Sequence, residues 1–331
     1  MAPLVLIDAY SQIFRCFFAV RDLTNSRGEP TNALLPFARM LIKFQQRFPD
    51  NPGAIVFDCG RVEFRTRLNP DYKATRPPMP EALRKQIPHL RDLADAFGWP
   101  LLEEKEYEAD DLIAALAKAN PGPVRIVSAD KDLAQLIDEH IEMLVPDPKG
   151  PWEERTQARV FEKFAVRPDQ IVDYLAMLGD SSDNIAGVPG IGPKGAAELL
   201  REHDSLDNIF RDPGQVANER KRALLVGHRE LLERNRALIR LRTDLPAACA
   251  DLATVCRRRA PDWERIRAIC ETMELRSVLR ELPAEAGAAP TDPDDLFAAA
   301  PAPVPAPATP PAASPAKVEL HDEQPDLFGD F

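Results

Sequence analysis

Three short apolar runs punctuate the first half of the chain: Leu4-Val5-Leu6-Ile7, Ala54-Ile55-Val56-Phe57 and Val124-Arg125-Ile126-Val127. None alternates strictly with polar residues, and helical spacing fills the gaps between them, as in Ala33 to Arg47 and Pro80 to Phe97. Strands apolar on both faces and separated by helix-length segments predict an α/β fold with a mostly parallel central sheet flanked by helices. From about Arg167 the pattern turns helical. Arg222 to Leu241 carries Leu224/Leu225, Leu231/Leu232 and Leu238/Ile239, a stripe that predicts a core-facing helix. Beyond Leu282 the periodicity stops. The last 49 residues hold 11 of the 33 prolines, with a nearly pure Pro/Ala run from Ala298 to Ala316. Such a segment cannot build a packed core, so a disordered tail is expected. The expected organisation is an α/β core over 1–175, with a basic segment at about 61–91. A helical module over 176–282 and a tail over 283–331 follow.

Charge changes this picture only after it is divided. The chain carries 42 Lys and Arg against 53 Asp and Glu, a net of −11. Glu285, Asp292, Asp294, Asp295, Glu319, Asp322, Glu323, Asp326 and Asp330 concentrate acid in the tail, where Lys317 is the one base. The body is therefore near neutral and rich in arginine, and the whole-chain charge is no argument against a polyanionic partner. No stretch reaches eighteen apolar residues, and the run at Leu4 is cut short by Asp8, so neither a membrane span nor a secretory signal is expected. The five cysteines are scattered, without a CxxC pair. Reduced thiols in a cytoplasm are the simple reading, and isolated histidines argue against zinc.

The candidate chemistry is acidic. Each apolar run ends at or near an aspartate: Asp8, Asp58 and Asp130. In open α/β sheets the functional crevice lies outside the carboxyl ends of the strands. Further acids come from Glu108-Ala109-Asp110-Asp111, from Asp132 in Asp130-Lys131-Asp132, and from Asp180 and Asp183 in Gly179-Asp180-Ser181-Ser182-Asp183-Asn184. Singly, helix-dipole, cap and turn chemistry explains each group. Together they put nine carboxylates in one crevice, with Lys131 the only base inside these motifs. Like charges at that density do not ionise side by side without cations, and oxygen-only ligands select Mg²⁺ or Mn²⁺. Divalent ions on carboxylates beside a basic surface point to phosphodiester hydrolysis.

The basic surface starts after Asp58. Arg61, Arg65, Arg67, Lys73, Arg76, Arg84, Lys85 and Arg91 face only Glu63, Asp71 and Glu81, with Phe64 and Tyr72 interleaved. That mixture suits a single strand with stacked bases, although most charge runs are solvated helix faces. A third feature is Gly187-Val188-Pro189-Gly190-Ile191-Gly192-Pro193-Lys194-Gly195 ahead of a helix. It is no Walker loop. It looks like a helix-hairpin-helix, which grips duplex backbone without reading sequence.

In order and spacing these motifs, with Phe64-Arg65 and Tyr72-Lys73-Ala74-Thr75-Arg76, resemble the 5′-nuclease (flap endonuclease) family over roughly residues 4 to 282. That family includes the 5′–3′ exonuclease domain of bacterial DNA polymerase I. The resemblance implies a PIN-like core with a helical arch and a Mg²⁺-dependent enzyme acting on branched or nicked duplex DNA at 5′ ends and flaps. It assigns Asp8, Asp58, Glu108, Asp110 and Asp111 to one metal region, and Asp130, Asp132, Asp180 and Asp183 to the other. Lys73 and Arg76 would act in the arch with the catalytic Asp8 and Asp58, while Tyr72 stacks on a base. Gly187, Gly190, Gly192 and Lys194 would hold the duplex, with K⁺ in the hairpin. Ala9 departs from the glycine many relatives have there, and a Pro/Ala tail stands after Leu282 where the resemblance would put a polymerase, so a separate nuclease is expected. The tail motif Gln324-Pro325-Asp326-Leu327-Phe328 resembles a bacterial sliding-clamp-binding motif anchored by Gln324, Leu327 and Phe328, with Asp295-Leu296-Phe297 a partial copy. A cytoplasmic, nucleoid-associated monomer is expected. A haloacid-dehalogenase-like phosphatase would need a second acid in Asp8-Ala9-Tyr10. A PIN-type ribonuclease would need no hairpin, and a non-catalytic branched-DNA binder would have lost carboxylates.

Overall fold

The computed structural model describes residues 2–60, 62–146 and 152–283. Its sheet has six strands: β1 (Leu4–Asp8), β2 (Gly53–Val56), β3 (Leu101–Leu102), β4 (Val124–Val127), β5 (Ile141–Val145) and β6 (Glu153–Arg155). Their spatial order is β3-β2-β1-β4-β5-β6, and only β6 runs antiparallel to its neighbour. Alternation of side chains across the pleat explains why the strands read as unbroken apolar runs. Leu4, Leu6, Val56, Val124 and Ile126 enter one core cluster, whereas Val5, Ile7, Ile55, Phe57 and Val127 enter the other.

Helices cover both faces. They are α1 (Ala9–Ala19), α2 (Leu34–Arg47), α3 (Glu63–Leu68), α4 (Glu81–Ala96), α5 (Ala109–Ala119), α6 (Gln157–Phe164), α7 (Ile171–Leu178), α8 (Pro193–His203), α9 (Leu206–Arg211), α10 (Glu219–Gly227), α11 (Arg229–Ile239), α12 (Leu252–Val255), α13 (Trp263–Thr272) and α14 (Arg276–Glu281). A two-stranded ribbon, β7 (Gly179–Asp180) with β8 (Ile185–Ala186), joins α7 to the hairpin. Helices α5, α7, α8 and α11 pack in the first cluster, and α1, α2, α4, α13 and α14 in the second. Among the described residues no helix is long and apolar enough to cross a membrane.

Three features differ from the sequence reading. The stripe over 222–241 belongs to two helices that break at Gly227 and His228, and Leu225, Leu232, Leu238 and Ile239 remain buried across the break. The basic segment is not all surface: α4 buries Leu83, Leu90 and Leu93, with Lys85 paired to Glu81 on its solvent side. Residues 256–282, expected in the helical module, return instead to the sheet. Gly53 N–H donates to Cys256 O (2.8 Å), Arg259 N–H to Gly98 O (2.9 Å), and Trp263 packs edge-on against Phe97.

Candidate active site

Registers of β1 with β2 and β4 set Asp8 opposite Val56 and Ile7 opposite Val127, so Asp8, Asp58 and Asp130 leave the sheet at one edge. Asp8 also caps α1. One of its oxygens accepts from Ser11 N–H (3.1 Å) and the other from Ser128 Oγ–H (2.8 Å), while Ser128 Oγ accepts from Asp130 N–H (3.0 Å). Asp58 accepts from Ala109 N–H (2.8 Å), which ties the end of β2 to the start of α5. Asp130 accepts from Asp132 N–H (2.8 Å), and Asp180 accepts from the backbone and hydroxyl of Ser182 (2.8 and 2.6 Å). The sequence brings these acids together because each sits at a strand end or in a first helical turn.

Crowding is visible in their electrostatics. Burial pushes Asp8 up to about 7 against the pull of its two hydrogen bonds, with Asp58 and Asp130 adding repulsion. Burial, then Asp130 and Asp8, hold Asp110 well above the carboxylate range. Burial, Asp130, Asp183 and Asp180 do the same for Asp132. Asp180 goes the other way, because Ser182 and Lys131 outweigh its burial.

Protein cations meet part of this charge, three of them from outside the acidic motifs. Arg65 makes a bidentate pair with Asp111 (2.5 and 2.7 Å), Lys73 reaches Glu108 (2.8 Å), Arg76 reaches Asp183 (2.5 Å) and Lys131 reaches Asp180 (3.1 Å). Tyr72, expected to stack on a base, is buried; its hydroxyl bridges Glu108 (3.2 Å) and Asp183 (3.1 Å). Lys73 sits at φ +56°, and its N–H donates to Asp183 O (3.0 Å), which folds the Tyr72–Arg76 turn onto the acids.

Asp8, Asp58, Asp110, Asp130 and Asp132 have no cation partner among the described residues. Asp132 Oδ1 is buried without any hydrogen-bond donor. No three acidic, histidine or cysteine side chains among the described residues converge as a preformed cage. The fit to a divalent cation therefore lies in the donor set, which is all oxygen, uncompensated, and includes one orphaned buried atom.

The hairpin lies beside this crevice. Val188 and Ile191 are buried, and Val188 N–H donates to Met177 O (2.8 Å), which pins the loop onto α7. Pro189, Gly190, Gly192, Pro193 and Lys194 are exposed, and Gly190 takes φ +92°. No side chain caps α8, and with Pro193 at its first position the first N–H groups left without a helical partner are those of Lys194 and Gly195. Arg220 is exposed close by, and Lys221 is half-buried against Glu198 (2.8 Å). Gln324, Leu327 and Phe328 lie outside the described residues.

Arg65, read from the sequence as part of the basic surface, is buried instead, and Ser128, Ser182, Asn235 and Arg242, which that reading left without a role, organise the site with it. Asn235 had a signal, since it lies on the buried face of α11 between Leu232 and Ile239, where an amide needs partners. It donates to Ala176 O (2.9 Å) and Ala186 O (2.8 Å).

A parallel sheet with a carboxylate crevice at its carboxyl edge and a helical hairpin alongside defines a resolvase-like nuclease architecture. Residues 3–165 match the 5′–3′ exonuclease N-terminal resolvase-like domain, and residues 166–263 match the 5′–3′ exonuclease C-terminal SAM fold. A 5′–3′ exonuclease of Aquifex aeolicus is 37% identical over 285 residues, covering 85% of this chain and 96% of its own. The thermostable DNA polymerase I of Thermus thermophilus is 39% identical over 285 residues; the match covers 84% of this chain and 33% of the polymerase. The chain thus spans about a third of the length of the polymerases it matches. The bacteriophage T5 flap endonuclease, solved as a pseudo-enzyme-product complex with DNA and metal ions, shares the fold. Its TM-score is 0.60 at 23% identity, over 82% of this chain and 99% of its own. The chain belongs to the 5′–3′ exonuclease family.

Proposed function

We propose that this protein is a divalent-metal-dependent nuclease that hydrolyses phosphodiesters at 5′ ends and 5′ flaps of branched or nicked duplex DNA. The observation that carries this reading is the set of five carboxylates at the sheet edge without a direct ion pair among the described residues, flanked by the Tyr72–Arg76 turn and the exposed hairpin. Asp8, Asp58, Asp110, Asp130 and Asp132, with Asp180 and Asp183 alongside, would hold Mg²⁺ or Mn²⁺. Bound there, the ions would supply an activated water and neutralise charge on the leaving oxygen. Lys73 and Arg76 bring two positive charges to the same crevice, and their contacts to Glu108 and Asp183 hold them in reserve for the scissile phosphate. Exposed backbone at Gly190 and Gly192, with Lys194, meets the duplex phosphates, and a K⁺ in this loop would strengthen that contact. A T5 relative solved with DNA and metal ions supports the reading.

The tail motif supports a tether to a bacterial sliding clamp, which would raise the local concentration of enzyme at flaps and place the protein on the nucleoid. Deleting residues 318–331 is expected to leave cutting of a free flap unchanged and to abolish stimulation by the clamp. Equal stimulation of both forms would remove the tether. The activity itself is tested on a 5′-labelled flap duplex with Mg²⁺ or EDTA, comparing the intact protein with Asp110→Asn. Cutting near the junction that needs Mg²⁺ and falls at least a hundredfold in the variant is expected. Tight duplex binding without cutting by the intact protein would make it a non-catalytic junction binder.

A further inference from the structure

Asp111 belongs by sequence to the acidic motif, yet its surroundings differ from those of Asp110 one residue before. It is fully buried, and four donors fill its two oxygens. Oδ1 accepts from Arg65 Nη2 (2.7 Å) and Arg242 N–H (3.0 Å). Oδ2 accepts from Arg65 Nη1 (2.5 Å) and, in a longer contact, from Glu108 N–H (3.4 Å). An ionised carboxylate has about four lone-pair directions, so none is left for a metal.

Arg65 is equally committed. It is 1% exposed. Its Nε–H donates to Leu238 O (3.0 Å), and its Nη1 lies 3.3 Å from Glu108. Leu238 O is in the last turn of α11, where carbonyls lack helical partners and a cation complements the dipole. Three turns of chain chemistry therefore meet at one guanidinium: α3, the first turn of α5, and the end of α11.

Helix α11 leads from there to the hairpin. Asn235, three residues before Leu238, is buried and donates to Ala176 O at the end of α7 and to Ala186 O on β8, the residue before Gly187. Arg236 adds an ion pair to Asp173 on α7 (2.9 Å). The hairpin is thus bonded to α11, and α11 is bonded through Arg65 to the turn that presents Glu108 and Asp110.

We infer that Asp111 is a positioning residue and not a metal ligand. With Arg65 it couples the hairpin's hold on the duplex to the alignment of Glu108 and Asp110. This inference rests on the nuclease reading above for its kinetic part only. The buried pair contributes alignment, because each partner alone would be an uncompensated buried charge, whereas an apolar pair of similar volume would not be.

Three measurements decide it. Electron paramagnetic resonance titration of the DNA-free protein with Mn²⁺ is expected to give Asp111→Asn an affinity within twofold of the parent, whereas Asp110→Asn binds at least tenfold more weakly. On the flap duplex, Asp111→Asn is expected to lower kcat at least tenfold while KM stays within threefold. The third measurement is a cycle: Arg65→Met is expected to lose thermal stability and kcat, and Arg65→Met with Asp111→Leu to recover both in part. If Arg65→Met does not fold, recovery of a folded, cutting protein in the double variant is itself the expected rescue. Mn²⁺ binding weakened in Asp111→Asn as much as in Asp110→Asn would overturn the inference. So would an unchanged kcat in Asp111→Asn, or a double variant no better than Arg65→Met. If the parent does not cut any flap, the nuclease reading fails, and the Mn²⁺ titration and stability cycle still judge Asp111.

Discussion

Two glycines of the hairpin look equivalent as letters and should behave oppositely when replaced by alanine. A Cβ on Gly187 would lie 2.1 Å from Leu178 O, 2.3 Å from its carbonyl carbon and 2.8 Å from Met177 O. All three are backbone atoms at the end of α7, so no side-chain rotation relieves the clash. The loop must move by about 1 Å, an overpacking that costs about 1–3 kcal/mol. Such a shift strains the Val188 N–H to Met177 O bond, worth about another 1 kcal/mol. Gly187→Ala is therefore expected to lose about 2–4 kcal/mol in urea denaturation. At Gly192 the backbone is extended (φ −98°) and a Cβ would meet nothing within 4 Å. Gly192→Ala should keep its stability within about 1 kcal/mol. What its methyl does obstruct is approach of a phosphate to the first N–H groups of α8. Fluorescence anisotropy with a labelled nicked duplex, Ca²⁺ replacing Mg²⁺, should show about tenfold weaker binding, roughly 1.4 kcal/mol. A Gly187→Ala protein as stable as the parent would refute the steric argument. A Gly192→Ala protein with parental duplex affinity would refute backbone contact at that loop.

Asp110→Asn removes a carboxyl whose ionisation burial, Asp130 and Asp8 oppose and which has no direct ion-pair partner among the described residues, so the metal-free protein should melt at a higher temperature than the parent in EDTA, and gain less from added Mg²⁺. A lower melting temperature in EDTA would contradict the repulsion at Asp110. Tyr72→Phe removes a hydroxyl shared by Glu108 and Asp183, and hydrogen bonds to charged acceptors imply a loss of about 1.5–3 kcal/mol by thermal denaturation. Were Tyr72 a base-stacking residue only, this substitution would leave stability untouched. Gly98 has φ +82°, and its Cβ would come 2.0 Å from Arg259 O, so Gly98→Ala should cost about 3 kcal/mol or more. Limited proteolysis should then cut first near residues 256–282; an unchanged digestion pattern would show that this segment's return to the sheet contributes little.

How much of this was legible depended on the range of the interaction. Leu4–Ile7, Ala54–Phe57 and Val124–Val127 were readable because a strand buried on both faces writes an unbroken apolar run, and an aspartate at its end stands out. Strand β3 was not, since two residues carry no period, and β5 hides behind Glu142, which pairs across the sheet with Arg125. The break at Gly227 and His228 was invisible for a different reason: both helices use the same stripe, so apolar spacing continues through it. Acidic positions were readable because each lies in a local motif, but their neutralisation was not. Arg65 and Asp111 are 46 residues apart, and Tyr72 and Asp183 are 111 apart. Pairing at that separation is decided by how the elements pack, which spacing alone does not encode.

The consequence is that the acidic motif divides into two classes that the sequence does not distinguish. Asp8, Asp58, Asp110, Asp130 and Asp132 crowd one another and make no direct ion pair with a protein cation among the described residues, so on the proposed reading a divalent ion would relieve them. Asp111 and Glu108, along with Asp180 and Asp183, already hold Arg65, Lys73, Lys131 and Arg76. Lys73 and Arg76 are less buried than Arg65, and their partners lie at the crevice. On the proposed reading, a phosphate entering there would compete for the same two cations. Their transfer from carboxylate to phosphate would free Glu108 and Asp183 as substrate arrives, whereas the fully buried Arg65–Asp111 pair stays in place. Within the paired acids, the Lys73 and Arg76 pairs are thus exchangeable and the Arg65–Asp111 pair is fixed, and the difference follows from burial and not from residue type.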